Sequence, residues 1–185
     1  MNDDPTTAAE RVTILLAQQG DRSAFARLID TYDRRLLYFI RRMLGDSDGA
    51  LDILQTVWLI VLKKLPRLKS PAAFRVWLYR ITHDQVVSFL RRKSRWPQSL
   101  ADPPVPDDSD STDSTDATIE NVELIHRALQ DLSVPHRQVL TLQFLEDLTI
   151  DETAAILDCN PGTVKSRLHY GKQALRRRIK ELLHE

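Results

Sequence analysis

The chain has 185 residues, 42% hydrophobic and 28% charged, and its 26 basic and 26 acidic side chains cancel. That length allows one medium domain or two small ones, and a single cysteine, Cys159, excludes an intramolecular disulfide and fits a reducing compartment. The longest unbroken apolar run, residues 57–62, is far too short to span a bilayer, and the opening Met1-Asn2-Asp3-Asp4-Pro5 lacks the features of a secretory signal, so a soluble, cytoplasmic protein is expected.

With only five Gly and no convincing period-two alternation, the chain reads as all-helical. Helices are predicted near 7–19, 22–44, 48–65, 71–95, 119–131, 134–146, 149–157 and 161–183, with Gly20-Asp21, Gly45-Asp46 and residues 66–70 as punctuation. The helix over 48–65 has an excess of apolar surface. Leu54, Val57, Trp58, Val61 and Leu65 make an ordinary core stripe, while Leu51, Ile53, Leu59, Ile60 and Leu62 extend it almost all round. Asp52, Gln55, Thr56 and Lys63 are left as a thin polar seam. Such a helix is either deeply buried or bound to a partner helix.

On the next helix, Leu78, Tyr79, Val86, Val87, Phe89 and Leu90 form a broad core face. Arg80, Asp84, Ser88, Arg91 and Arg95 lie opposite, within an arc of roughly 80°, with Trp77 on the same arc. A cationic face carrying an aromatic suits single-stranded nucleic acid, whose phosphates meet Arg and whose unstacked bases rest on a ring. A tryptophan in so small a domain also serves commonly as core, and both roles remain open for Trp77. Residues 97–118 then change character, with four Pro, six Asp and no basic residue. This composition makes a flexible acidic linker, either a passive tether or a mimic of nucleic acid. Two small helical domains joined by that linker, residues 1–96 and 119–185, are the expected architecture.

The last segment spells a helix-turn-helix. Thr149 can cap the first short helix, Asp158-Cys159-Asn160 make the turn, Asn160 suits an N-cap, and Pro161 suits the first helical position. Along the second helix Val164, Leu168, Gly171, Leu175, Ile179 and Leu182 make a narrow core stripe. Lys165, Ser166, His169, Tyr170, Gln173, Arg176 and Lys180 fall on the other side, where they can read base edges and phosphates in a major groove.

Charge follows the same division. Residues 63–96 hold ten basic groups against one acidic, and residues 161–185 seven against two. Two basic blocks set among acidic ones point to an anionic partner for each. The five His (83, 126, 136, 169, 184) show no metal-ligand spacing and no Gly-rich phosphate loop exists, so no catalytic residue, metal or cofactor is expected.

These residues resemble the extracytoplasmic-function (ECF) type of bacterial RNA polymerase sigma factor, over nearly the whole chain. Leu132-Ser133-Val134-Pro135-His136-Arg137-Gln138-Val139-Leu140 and Gly162-Thr163-Val164-Lys165-Ser166-Arg167-Leu168 resemble the family's fourth region. Gly20-Asp21 with Phe25 and Leu28, Asp52-Ile53-Leu54-Gln55, and Phe74-Arg75-Val76-Trp77-Leu78-Tyr79-Arg80-Ile81 resemble its second.

The resemblance implies that Asp52, Leu54, Gln55 and Leu59 dock on core RNA polymerase, and that Trp77, Arg80, Asp84, Ser88, Arg91 and Arg92 meet the downstream (minus-10) promoter element and help open it. It implies that Thr163, Lys165, Ser166, Arg167, His169, Tyr170 and Lys172 meet the upstream (minus-35) element as duplex DNA. The linker would thread polymerase channels, and an anti-sigma factor is a further candidate partner. A helix-turn-helix regulator that acts without polymerase docking is the alternative.

The chain departs from the family pattern at Thr56, where an acid is usual, and at Asp84 and Ser88, where Asn and Asp are usual. His169 and Tyr170 stand where an Arg is common, so the upstream-element sequence does not carry over.

Overall fold

Asp21 starts the longest helix of the N-terminal half. One of its carboxylate oxygens accepts hydrogen bonds from the backbone N–H groups of Ser23 (2.8 Å) and Ala24 (2.9 Å), which have no partner within the helix. These bonds, that to Ala24 foremost, hold the Asp21 carboxyl below its usual range. The computed structural model describes residues 8–45, 48–93 and 119–184; the linker over 97–118 and Arg95 lie outside them. In chain order the elements are α1 (Ala8–Gln18), α2 (Arg22–Leu44), α3 (Ala50–Lys64), α4 (Phe74–Arg92), α5 (Ile119–Gln130), α6 (Val134–Leu140), α7 (Ile150–Leu157) and α8 (Pro161–Leu183). Two 3-10 turns, Leu65–Arg67 and Pro71–Ala73, join α3 to α4, and no strand occurs among the described residues. The chain divides into an N-terminal and a C-terminal helical unit.

In the N-terminal unit α2, α3 and α4 bury one apolar face each. Leu28, Leu36, Phe39, Ile40, Val57, Val61, Phe74, Leu78, Tyr79 and Val86 are sealed from solvent. Aromatic rings meet edge to face across helices, Phe39 on Tyr79 at 5.8 Å and Tyr32 on Phe74 at 5.6 Å, a geometry that adds to simple burial. α1 is tied on by polar bonds: the Tyr32 hydroxyl donates to Glu10, and the Gln18 amide donates to the carbonyls of Leu65 (3.1 Å) and Leu68 (2.7 Å). Gly49, with φ of +116°, opens α3, and a Cβ there would come within 2.7 Å of the Phe89 ring. Both the backbone conformation and the close approach require glycine.

His83 sits largely buried on α4, and desolvation pushes its imidazole below the ordinary value of 6.5, with the Asp84 carboxylate opposing and Arg80 and Arg91 reinforcing the shift. The unfolded chain therefore binds a proton that the folded one resists. Its contribution to stability is fully present above about pH 6.5 and is lost as pH falls from there through the folded-state value. The melting temperature is expected to drop between about pH 7.5 and 5.5, and His83→Gln to flatten that part of the profile in a thermal melt. An unchanged profile in the variant would assign the pH dependence to other groups.

In the C-terminal unit α5 and α6 pack on α8. Arg137, buried, donates to the carbonyls of Gln130 and Leu132 (both 2.9 Å), and Arg178 of α8 reaches Asp131 at 2.7 Å. The continuous α-helix expected over 134–146 is instead α up to Leu140 and one wider π turn over Thr141–Leu145. That turn places the Gln143 amide to donate to the Leu148 carbonyl (2.6 Å) and the Thr153 hydroxyl (2.8 Å), fixing the approach to α7. Because this widened turn ends the helix, no further turn follows to show the change of phase, and periodicity does not reveal it.

Thr149 caps α7 as expected, and reciprocally: the Glu152 carboxylate accepts from the Thr149 N–H (2.8 Å), and the Glu152 N–H donates to the Thr149 hydroxyl (3.2 Å). Thr149→Ala is expected to cost about 1 kcal/mol, read as a lower midpoint in urea unfolding. A midpoint within error of the parent would mean that packing alone holds the helix end. Asn160 does occupy the N-cap of α8, but its side chain makes no capping bond; the backbone bond from Val164 N–H to the Asn160 carbonyl (3.2 Å) starts the helix.

Candidate functional site

The left-handed Asp158 (φ 52°) and Pro161 at the first turn of α8 make a tight turn between α7 and α8. α8 then buries Val164, Arg167, Leu168 and Gly171. Gly171 is where it passes closest to α6: a Cβ would lie 3.3 Å from Leu140 Cδ1 and 3.4 Å from His136 Cβ. On the opposite side Lys165, Ser166, His169 and Lys172 are exposed, with Thr163 and Tyr170 half-buried. The Ser166 hydroxyl donates to the Thr163 carbonyl (3.1 Å), which fixes its rotamer and leaves its oxygen able to accept. The His169 and Tyr170 rings meet edge to face at 5.2 Å.

Arg167, one of the predicted DNA contacts, is only 7% exposed and lies on the packed side of α8. It comes two residues after Lys165, about 200° around the helix, so the same spacing that exposes Lys165 turns Arg167 inward. Lys172 is exposed but has a partner of its own, its ammonium lying 5.0 Å from the centre of the Phe144 ring.

On α4, Arg80, Asp84, Ser88 and Arg91 are exposed, as the sequence pattern expects, and so is Arg92, which the resemblance adds. Trp77 is half-buried and leans on Phe74, ring centres 6.0 Å apart and planes at 46°. One side of its ring is thus already used for packing. The Phe89 ring carries the Lys93 ammonium at 4.7 Å and helps wall a cleft of about 340 Å³ together with Asp52, Thr56, Gln85 and Arg92.

α3 is buried along one side and leaves apolar residues open on another. Val57 and Val61 are fully buried, while Leu51, Leu59 and Leu62 are 62%, 61% and 56% exposed. Asp52 and Gln55 are exposed beside them. Leu54, which lies both on the core stripe of the sequence and in the implied docking motif, is 5% exposed and belongs to the core. Gln173, placed by the sequence pattern on the exposed side of α8, contacts His169 at the i, i+4 spacing. Sequence reasoning missed the exposed Phe144 beside Lys172, whose place depends on the π turn.

The model for Sigma-70 region 2 matches residues 28–95, and that for Sigma-70 region 4 matches residues 122–175, together about two thirds of the chain. The chain belongs to the sigma-70 family of RNA polymerase sigma factors. Similar proteins include sigma factors of the ECF type. The ECF RNA polymerase sigma factor SigW of Bacillus subtilis (strain 168) is 27% identical over 181 residues, spanning 89% of this chain and 94% of that protein. The ECF RNA polymerase sigma-E factor of Escherichia coli (strain K12) is 26% identical over 184 residues, 94% of this chain and 96% of that one.

Among solved structures, the sigma factor RpoE from Bartonella quintana, in a complex with the anti-sigma factor NepR, shares the fold at a TM-score of 0.66, with 21% identity over 84% of this chain and 96% of that one. A sigma factor binds core RNA polymerase and directs it to promoters, and the independent-regulator alternative is not favoured. No helix of the described residues is long and apolar enough to cross a membrane.

Proposed function

We propose that this sigma factor reads its promoters in two pieces with two different surfaces. Residues 119–185 read the upstream element as duplex DNA through Thr163, Lys165, Ser166, His169, Tyr170 and Lys172 of α8. Residues 1–96 meet the downstream element and help open it through Arg80, Asp84, Ser88, Arg91 and Arg92 of α4, with Trp77 offering only its free side. Arg167 acts behind the first surface, as packing. Asp52, Gln55 and Leu59 of α3 dock on core polymerase, and Leu54 supports them from the core. Residues 97–118 join the two parts through the polymerase. The protein performs no chemistry of its own and acts in the cytoplasm.

The observation that carries this reading is the division of α8 into a packed side and an exposed polar side directly after a capped helix and tight turn. A helix held this way by one face presents the other to a groove at a fixed angle. The apolar face left open on α3, with Leu51, Leu59 and Leu62 exposed, supports docking on a partner helix. An anti-sigma factor that held the protein inactive would find the same face available.

Run-off transcription with core polymerase tests the reading. Lys165→Ala is expected to lower initiation at cognate promoters and to reduce the slope of log affinity against log salt by about 1, the loss of one phosphate contact. Tight binding of a palindromic site without polymerase would replace this reading with that of an independent regulator.

A further inference from the structure

His169 stands on the exposed face of α8, yet its ring is held from two sides. The Tyr170 ring meets it edge to face at 5.2 Å between centres, and the Gln173 amide nitrogen lies 3.3 Å from its Nε2. An amide nitrogen can only donate, so this contact is a hydrogen bond only if Nε2 carries the lone pair. The ring proton is then on Nδ1, because the bond made by one nitrogen fixes the state of the other.

The amide turns its nitrogen to His169 and its Oε1 inward, where the oxygen is buried. Turned over, it would present an acceptor to the His169 ring and bury two N–H donors in place of one oxygen. Gln173 itself is half-buried, one turn further along the helix, and so is a backstop rather than a reader.

We propose that Gln173 is a positioning residue for base readout: it holds His169 in the Nδ1–H form, so that His169 presents a donor to the upstream element. A donor suits base edges that offer acceptors in the major groove, namely guanine N7 and O6, adenine N7 and thymine O4. It disfavours cytosine, which presents its amino group there. Promoter choice at one base pair is thereby set by two residues, only one of which touches DNA. The inference rests on the reading of α8 as the duplex-recognition helix.

Gln173→Met tests it, since Met keeps the length and apolar stem of Gln and loses the amide. In run-off transcription by the full chain with core polymerase on promoters randomised over the upstream element, the parent is expected to discriminate about tenfold against cytosine at one position. Q173M is expected to lose most of that discrimination while preserving preferences elsewhere in the element. His169→Ala should lose it completely.

The nitrogen-15 resonances of the His169 ring provide a readout that packing alone would not move. They should report an Nδ1–H ring in the parent and a mixture of the two tautomers in Q173M. A uniform loss of activity on all upstream sequences, or an Nε2–H ring in the parent, would overturn the proposal. If H169A left every base preference intact while Lys165→Ala still impaired initiation, the proposal would fail and the reading of α8 would stand. If randomising the upstream element had no effect at all, that reading itself would fail.

Discussion

Asp52→Lys combined with Gln55→Ala is expected to abolish measurable association with core RNA polymerase while leaving the fold intact. Both side chains are exposed on α3 and neither supports the core, so their replacement should change the melting temperature little. At a docking surface, removing one anchor and reversing a charge against a complementary partner costs about 2–4 kcal/mol or more, a loss of roughly thirtyfold to a thousandfold in affinity. Fluorescence anisotropy of the labelled chain titrated with core polymerase would read this directly. Affinity of the variant for duplex upstream-element DNA should equal that of the parent. An intact complex would sink the docking assignment.

The exposed Leu59 offers a second route to the same result, whereas Leu54→Ala would lose binding by weakening the core. A thermal melt separates the two cases.

Phe39→Ala carries the largest expected effect on stability. Phe39 is fully buried, and its ring meets Tyr79 edge to face across α2 and α4. Removing a ring from such a site forfeits its transfer free energy and leaves a cavity, about 3–5 kcal/mol together. Domains of this size are stable by only about 5–15 kcal/mol, so the variant should unfold at a much lower urea concentration. Tyr79→Phe, which keeps the ring pair, should cost less than F39A. Near-equal midpoints for F39A and the parent would mean that the pair does not organise this core.

Most of the helical plan was legible because each helix carries its own period. The stripe of Val164, Leu168 and Gly171 is buried where the 3.6-residue repeat puts it, and Lys165 and Ser166 emerge opposite. The capping box of Thr149 and Glu152 is a local device, readable from four residues. Where motif and period disagreed, the period decided. Arg167 belongs to a basic signature, yet its spacing from Lys165 turns it inward. Leu54 lies in a docking motif and on the core stripe, and its burial follows the stripe. Trp77, open between core and cationic face, is half-buried and leans on Phe74 three residues earlier. The π turn over Thr141–Leu145 leaves no mark on the pattern, although it fixes where Gln143 reaches.

Gly171 has a consequence that reaches beyond packing. Its bare backbone lies against Leu140 and His136, so the seat of α8 is fixed by atoms that take no part in the opposite face. Residues 165, 166 and 169 are thus free to vary without disturbing how the helix is held. A gene lineage could exchange one regulon for another through two or three substitutions there, with no compensating change in the scaffold. Diversity in such a family would then accumulate on one side of one helix, and the other side would record common descent.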